Sequence, residues 1–282
     1  MTRTMGILLF VGALGVGAIA IGSASFKENR EINVISREAG SGTRGAFVEL
    51  LGIEEKTPDG GRIDRTTIEA IIANKTDVVI ASVASNPYAI GYISLGSLDQ
   101  RVKALTIDGV EPTRENIVQG RYKVARPFSV AYRGSLSDVA RDFLDFILST
   151  EGQQIVAESY IPVSEGPFVS TKPAGKMVVA GSSSVSPLME KLAEAYLALN
   201  PNAEVEIQTS DSTAGLMGAV EGTCDLGMAS RELKAHEAEQ LESAVIAQDG
   251  IVVIVNNENP LNELTSEQVK RIYTGELTTW DL

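Results

Sequence analysis

Arg37 is followed four, five and six positions later by Ser41, Gly42 and Thr43, in the run Arg37-Glu38-Ala39-Gly40-Ser41-Gly42-Thr43. A guanidinium presents a planar fork of N–H donors, and two hydroxyls beside a glycine add short donors where the backbone can approach closely. Ala180-Gly181-Ser182-Ser183-Ser184 has the same grammar, and so does Thr209-Ser210-Asp211-Ser212-Thr213-Ala214-Gly215. Ala229-Ser230-Arg231 is a fourth polar turn. Each follows a short apolar run and precedes a helical pattern, so each would expose the unpaired N–H groups of a helix's first turn. That chemistry suits a tetrahedral oxyanion, and several such turns imply a ligand gripped from two sides.

The elements that must position these turns read as an alternation of strands and helices, which indicates an α/β fold. Residues 32–35, 89–93, 122–124, 130–132, 177–180, 205–208, 225–228 and 251–255 carry strand patterns. Residues 67–74, 114–118, 135–150, 152–159, 184–199, 213–221, 235–242 and 266–273 carry helical spacing. Residues 164–176, rich in Pro, Gly, Ser and Thr, read as a connector between two units.

The chain has 282 residues, 44% of them hydrophobic and 22% charged, with 24 Lys plus Arg against 37 Asp plus Glu. The net charge of -13 and the lack of a basic cluster argue against nucleic acid as a partner. They also mean that an anionic ligand must be held by local donors and dipoles, against the global field. The single cysteine, Cys224, excludes an internal disulfide or multi-cysteine metal site and reads as an inert buried thiol. The single histidine, His236, lies in a polar helical stretch and gives a catalytic triad or a metal site little support, so neither cofactor nor metal is expected. Residues 40–45 match the GxGxxG dinucleotide pattern, but no strand ending in an acid follows at the required distance.

Residues 5–24 form an uncharged run of 20 after Arg3, long enough to span a bilayer. Gly22-Ser23-Ala24 offers a signal-peptidase site, so retention as an anchor and cleavage both stay open, with the remainder outside the cytoplasm.

The segments REAGSGTRGAF, VAGSSSVSPLMEKLAEAY, SDSTAGLMGAVEGTCDLGMASREL and LTSEQVKRIYTGELTTWDL resemble those of the PstS family, the phosphate-binding proteins of bacterial ABC transporters. The resemblance implies a type II periplasmic binding fold, two α/β lobes closing over one dehydrated phosphate, which is then delivered to permease subunits. It implies phosphate contacts from Arg37, Ser41, Gly42 and Thr43 on one lobe, and from Ser183, the Ser184 backbone and Ser212 on the other. Arg44 is expected to pair with an acid instead. The motif order departs from the family's usual one, because RxxGSGT precedes AGSSS and Trp280 stands near the end, so the chain resembles a circular permutant. On that reading residues 1–30 are anchor or signal, residues 31–125 with 256–282 form the RxxGSGT lobe, and residues 126–255 form the other.

Many relatives place an aspartate where this chain has Ser230. A carboxylate there would accept the proton that phosphate keeps and sulfate lacks. Asp211 is the expected replacement acceptor, Glu38 the second choice, and helix capping is the competing role for Asp211. Two other functions stay open: a membrane-tethered sensor or adhesion module using the same closure, and a binding protein for another oxyanion such as sulfate or molybdate.

Overall fold

A computed structural model describes residues 26–57 and 61–282. The proposed anchor at residues 5–24 lies outside them. No helix among the described residues is long and apolar enough to cross a membrane.

The chain runs β1 (Asn33–Arg37), α1 (Gly42–Leu50), β2 (Glu54–Lys56), β3 (Arg62–Asp64), β4 (Ile71–Ala73), α2 (Thr76–Ala84), β5 (Ala89–Ser94), β6 (Val102–Ala104), β7 (Thr106–Ile107) and α3 (Arg114–Val118). It continues through β8 (Ala125–Tyr132), α4 (Asp138–Leu148), α5 (Thr150–Val156), β9 (Gly175–Ser182), α6 (Ser186–Leu199), β10 (Ala203–Ser210) and α7 (Ser212–Glu221). Then come β11 (Leu226–Ala229), α8 (Ala235–Ala238), β12 (Glu242–Asn256), β13 (Glu263–Leu264) and α9 (Ser266–Tyr273). The main sheet has the order β10-β9-β11-β8-β12-β5-β1-β4, with β6 also on β12.

Within the first lobe β1, β4 and β5 are parallel, and within the second β9, β10 and β11 are parallel. Parallel strands buried on both faces need apolar residues at successive positions rather than strict polar alternation. Val34 and Ile35 show this, since Val34 enters the core under α1 and α9 with Phe47, Ile53 and Ile272, whereas Ile35 enters a separate core under α2 with Val79, Ile80 and Val83. In the second lobe Phe143, Phe146, Leu188 and Tyr196 cover one face, and Leu216 and Ala219 of α7 cover the other.

The cores change over along just two strands. On the chain entering the second lobe, Tyr122 and Val124 belong to the first core, and Phe128 and Val130 to the second. On β12, Ile246 and Ala247 belong to the second core, and Ile251, Val253 and Val255 to the first. The sequence reading had assigned residues 251–255 to the second lobe; their side chains pack in the first, so that crossing falls earlier. Near the two ends of the described chain, Glu31 bridges Thr279, Ile32 N donates to the Thr278 carbonyl at 2.7 Å and Phe26 meets Trp280 edge-on.

Several elements differ from the sequence reading. Residues 67–74 form no helix: Ile71–Ala73 is a strand parallel to β1, because β-branched Ile71 and Ile72 suit an edge position even with their side chains exposed. The helix lies just beyond, as α2. Residues 122–124 are irregular, and the strand there is β8, which tolerates Pro127 because its ladder with β11 begins only at Ser129. The expected helix 135–150 ends at Leu148, where Ser149 caps α5 by accepting from Gly152 N at 3.1 Å.

Candidate functional site

The C-terminal ends of the parallel strands in both lobes converge, the position where open α/β sheets bind ligands. From the first lobe come Arg37 at the end of β1, the first turn of α1, and Thr76 at the start of α2. From the second come Ser182–Ser184 after β9, Asp211 and Ser212 after β10, and Ser230 after β11. Arg37, Thr43, Thr76, Ser183, Ser184, Ser212 and Ser230 are all buried.

Arg37 is only 2% exposed, and its backbone is fixed before its side chain is used. Its N–H donates to the Tyr92 hydroxyl at 3.1 Å, and that hydroxyl also bonds Ser36 Oγ at 2.9 Å. The Tyr92 ring stacks on Phe47 of α1 with centroids 3.9 Å apart, so strand end and helix are pinned through one tyrosine. The guanidinium donates through Nε and Nη2 to both Glu38 oxygens, at 2.8 and 2.7 Å. Its other bonds reach Thr76 Oγ1 at 3.4 Å and, across the cleft, Ser183 Oγ at 3.1 Å.

The α1 turn follows from Ser41, whose hydroxyl caps the helix by accepting from Arg44 N at 3.3 Å. Thr43 Oγ1 lies 2.8 Å from Ser184 Oγ of the other lobe, which in turn lies 3.2 Å from Thr76 Oγ1. Gly42 sits against the second lobe so closely that a Cβ there would lie 2.3 Å from Ser212 Oγ and 2.7 Å from Ser230 Oγ. A backbone bond from Thr213 N to the Gly40 carbonyl at 3.2 Å completes the join. Arg44 takes no part; it pairs with Asp64 at 2.7 Å and bonds the Arg37 carbonyl at 2.7 Å.

On the second lobe Gly181 has φ +130°, and a Cβ there would lie 2.5 Å from the Met228 carbonyl oxygen, so only glycine lets β9 turn this close to β11. The Ser184 N–H donates to Ser182 Oγ at 3.3 Å, and α6 begins at Ser186. The Ser184 hydroxyl is what reaches the first lobe. Ser212 Oγ accepts from Ser230 N at 3.1 Å, and Ser182 donates to Ser230 Oγ at 2.9 Å. With Ser212 Oγ also 3.3 Å from Ser230 Oγ, the three residues form one buried serine ladder. Asp211 caps α7, with Oδ1 accepting from Ala214 N at 2.9 Å, and the structure thus gives it the competing role stated above.

Sequence reasoning missed two residues at this cleft, Thr76 and Arg126, and placed Ser230 in a different role. Thr76 starts a helix the pattern did not reveal. Ser230 was treated as a missing acceptor, yet it occupies the centre of the serine ladder. Arg126 on β8 is 3% exposed and pairs with Asp249 of β12 at 3.1 Å. Burial lowers the Arg126 pKa and raises that of Asp249, and their mutual attraction opposes both shifts. A lone acid in the apolar stretch 246–255 was the signal that could have found it, since a buried carboxylate calls for a cation.

Below the serine ladder, Arg231 holds Glu237 through two bonds of 2.7 and 2.8 Å. Burial pushes the Glu237 carboxyl up, but the bonds from Arg231 and from Lys234 N outweigh it and leave the pKa below the ordinary 4.5. The pair therefore adds stability that is fully present above about pH 4.5 and is lost as pH falls through the lower folded-state value. Glu237→Gln is expected to be less stable than the parent at neutral pH, with the two acid-unfolding curves converging below that range; a gap that persists at low pH would contradict the pairing. His236, on the same helix, is exposed, and burial pushes the Cys224 thiol up to about 11, where it is inert at neutral pH.

A family model described as a PBP superfamily domain matches residues 23–151 and 167–282. Phosphate-binding protein PstS 2 of Streptococcus agalactiae serotype V is 45% identical over 99% of this chain and 97% of its own. The chain belongs to the PstS family. PstS 2 of Streptococcus pneumoniae serotype 4 is 44% identical over 99% of this chain and 98% of its own. Among solved structures, the crystal structure of a phosphate ABC transporter phosphate-binding protein from Streptococcus pneumoniae TIGR4 matches with a TM-score of 0.71 and 45% identity, over 89% of this chain and 99% of that one. The two-lobe α/β architecture is thus that of a phosphate-binding protein of solved structure.

Proposed function

We propose that this chain is an extracytoplasmic phosphate-binding protein that closes on one inorganic phosphate and presents it to the permease subunits of an ABC transporter. The observation that carries the reading is the meeting of Arg37 with hydroxyls from both lobes, Thr43 and Thr76 on one side and Ser183 and Ser184 on the other. The names of the streptococcal relatives support it.

In the bound state phosphate oxygens take the place of the hydroxyl–hydroxyl bonds across the cleft. Arg37 gives two N–H groups, Ser41, Thr43, Ser183, Ser184 and Ser212 give hydroxyls, and Gly42 gives backbone approach at the start of α1. Glu38 already balances the Arg37 charge, so binding rests on oriented dipoles more than on net charge, as an overall charge of -13 requires. No bond is made or broken; the ligand shifts an open–closed equilibrium. The lobes on this reading are residues 31–125 with the C-terminal residues 256–282, against residues 126–255, with the second crossing moved to the β12 position described above. Residues 5–24 tether the protein to the membrane or are removed as a signal. The bridge between Glu31 and Thr279 supports a permuted order, because it joins in one lobe the segments a permutation would separate.

Ser230 favours one competing reading, a site for a different oxyanion, since a hydroxyl does not repel sulfate as a carboxylate does. Asp211 remains the proposed acceptor for the phosphate proton. Asp211→Asn keeps a good helix cap and removes the negative charge. The expected result is a smaller phosphate-over-sulfate preference by calorimetry, and an unchanged preference would leave Asp211 with capping alone.

A further inference from the structure

We propose that Arg126 is the latch of the closed state, a positioning residue that ties both lobes to the crossing strands and aims the Thr43 hydroxyl at the ligand; the ligand part rests on the phosphate reading above. Arg126 and Asp249 are direct partners in the β8–β12 ladder, and they stand where the cores change over on both strands. From that pivot the guanidinium reaches outward in two directions. Nη1 donates to Thr43 Oγ1 at 2.7 Å in the first lobe and to the Ser230 carbonyl at 2.9 Å in the second. Nη2 donates to Asp249 Oδ2 at 3.1 Å, Asp249 Oδ1 accepts weakly from Gly96 N at 3.4 Å, and the guanidinium carbon lies 5.1 Å from the centre of the Phe128 ring. Nε is buried without a hydrogen-bond partner.

Two consequences follow from this geometry. Thr43 moves with α1 and Ser230 with β11, so one Nη1 can hold both only while the lobes are together. Bonds made only in the closed form raise its population and slow ligand escape without speeding encounter. The Thr43 oxygen also accepts from behind, which leaves its proton free to face Ser184 or a bound oxyanion. A lysine could keep an ion pair with Asp249, but a single ammonium on a flexible stem lacks the planar fork that reaches three acceptors from one position.

The test uses the full-length chain and its Arg126→Lys variant. Release of inorganic phosphate is followed by stopped flow, and the lobe separation by spin labels at Glu190→Cys on α6 and Glu267→Cys on α9, both exposed positions. Arg126→Lys should raise koff by about tenfold or more, the order expected for losing charge-assisted bonds, with kon within about threefold of the parent. A variant that merely folded poorly would lower the binding-competent fraction and leave koff of the rest unchanged. The label distances should lengthen or broaden in the variant, with phosphate and without any anion. Parental koff together with parental distances would overturn the latch. Absence of phosphate binding by the parent would overturn the proposed function instead, and the anion-free distances would then still decide the latch. Should Arg126→Lys not fold, Asp249→Asn keeps an oxygen facing the fork but loses its charge, and an unchanged koff in that variant would equally overturn it.

Discussion

Arg37→Ala is expected to weaken phosphate binding by roughly a hundredfold to several thousandfold, the scale of about 3–5 kcal/mol for removing one partner of a buried charge interaction. In the closed protein this guanidinium is the cation that bonds both Glu38 and the hydroxyls of the cleft. Alanine leaves Glu38 without its bidentate partner beside an incoming anion, so the variant loses an attraction and uncovers a repulsion together. Glu38 is 19% exposed, however, and can turn to water when no ligand is bound, so the ligand-free fold should lose little stability. Calorimetry with phosphate and a thermal melt of the ligand-free protein separate the two effects. Tight binding by Arg37→Ala would place Arg37 outside the phosphate cleft.

Gly42→Ala is expected to move affinity and stability in opposite directions. Gly42 is the first residue of α1, and alanine is a better helix former than glycine by up to about 1 kcal/mol, so with the lobes open the ligand-free protein should melt no lower than the parent. The added Cβ would nevertheless stand 2.3 Å from Ser212 Oγ and 2.7 Å from Ser230 Oγ when the lobes meet. Neither serine can step aside, because Ser212 Oγ is bonded to Ser230 N and both residues are fully buried. Overpacking of about 1–3 kcal/mol converts to a loss of roughly fivefold to a hundredfold in affinity. Parental affinity with an unchanged melt would mean that closure does not bring α1 against the serine ladder.

Different physical signals explain why part of the site was legible in the sequence. Arg37, Ser41, Gly42 and Thr43 lie within one stretch of the chain, residues 37–43, whose side-chain types together suggest an oxyanion, and the family resemblance then assigned them one by one. Ser183, Ser184 and Ser212 carried weaker signals, since hydroxyls at a helix start are ordinary caps, and it was the repetition of such turns that marked them. The start of α6 was legible only to within two residues, and with it the hydrogen-bond partners of the Ser184 N–H and hydroxyl. Thr76 was hidden because Ile71 and Ile72 share a helical spacing with their neighbours and masked an edge strand followed by a separate helix. Arg126 and Asp249 are 123 positions apart, and no local pattern joins them. Only tertiary structure shows that the crossing strands place them side by side. The lobe boundary on β12 was missed for a related reason: one continuous apolar strand serves two cores, and its hydrophobicity does not change where ownership does.

The central claim is that the two lobes close on phosphate, and it is tested most directly by calorimetric titration of the protein with phosphate and, in parallel, with sulfate near neutral pH. The account predicts saturable one-to-one binding of phosphate, with sulfate markedly weaker. A folded sample that gives no heat with phosphate, or that prefers sulfate, would contradict it.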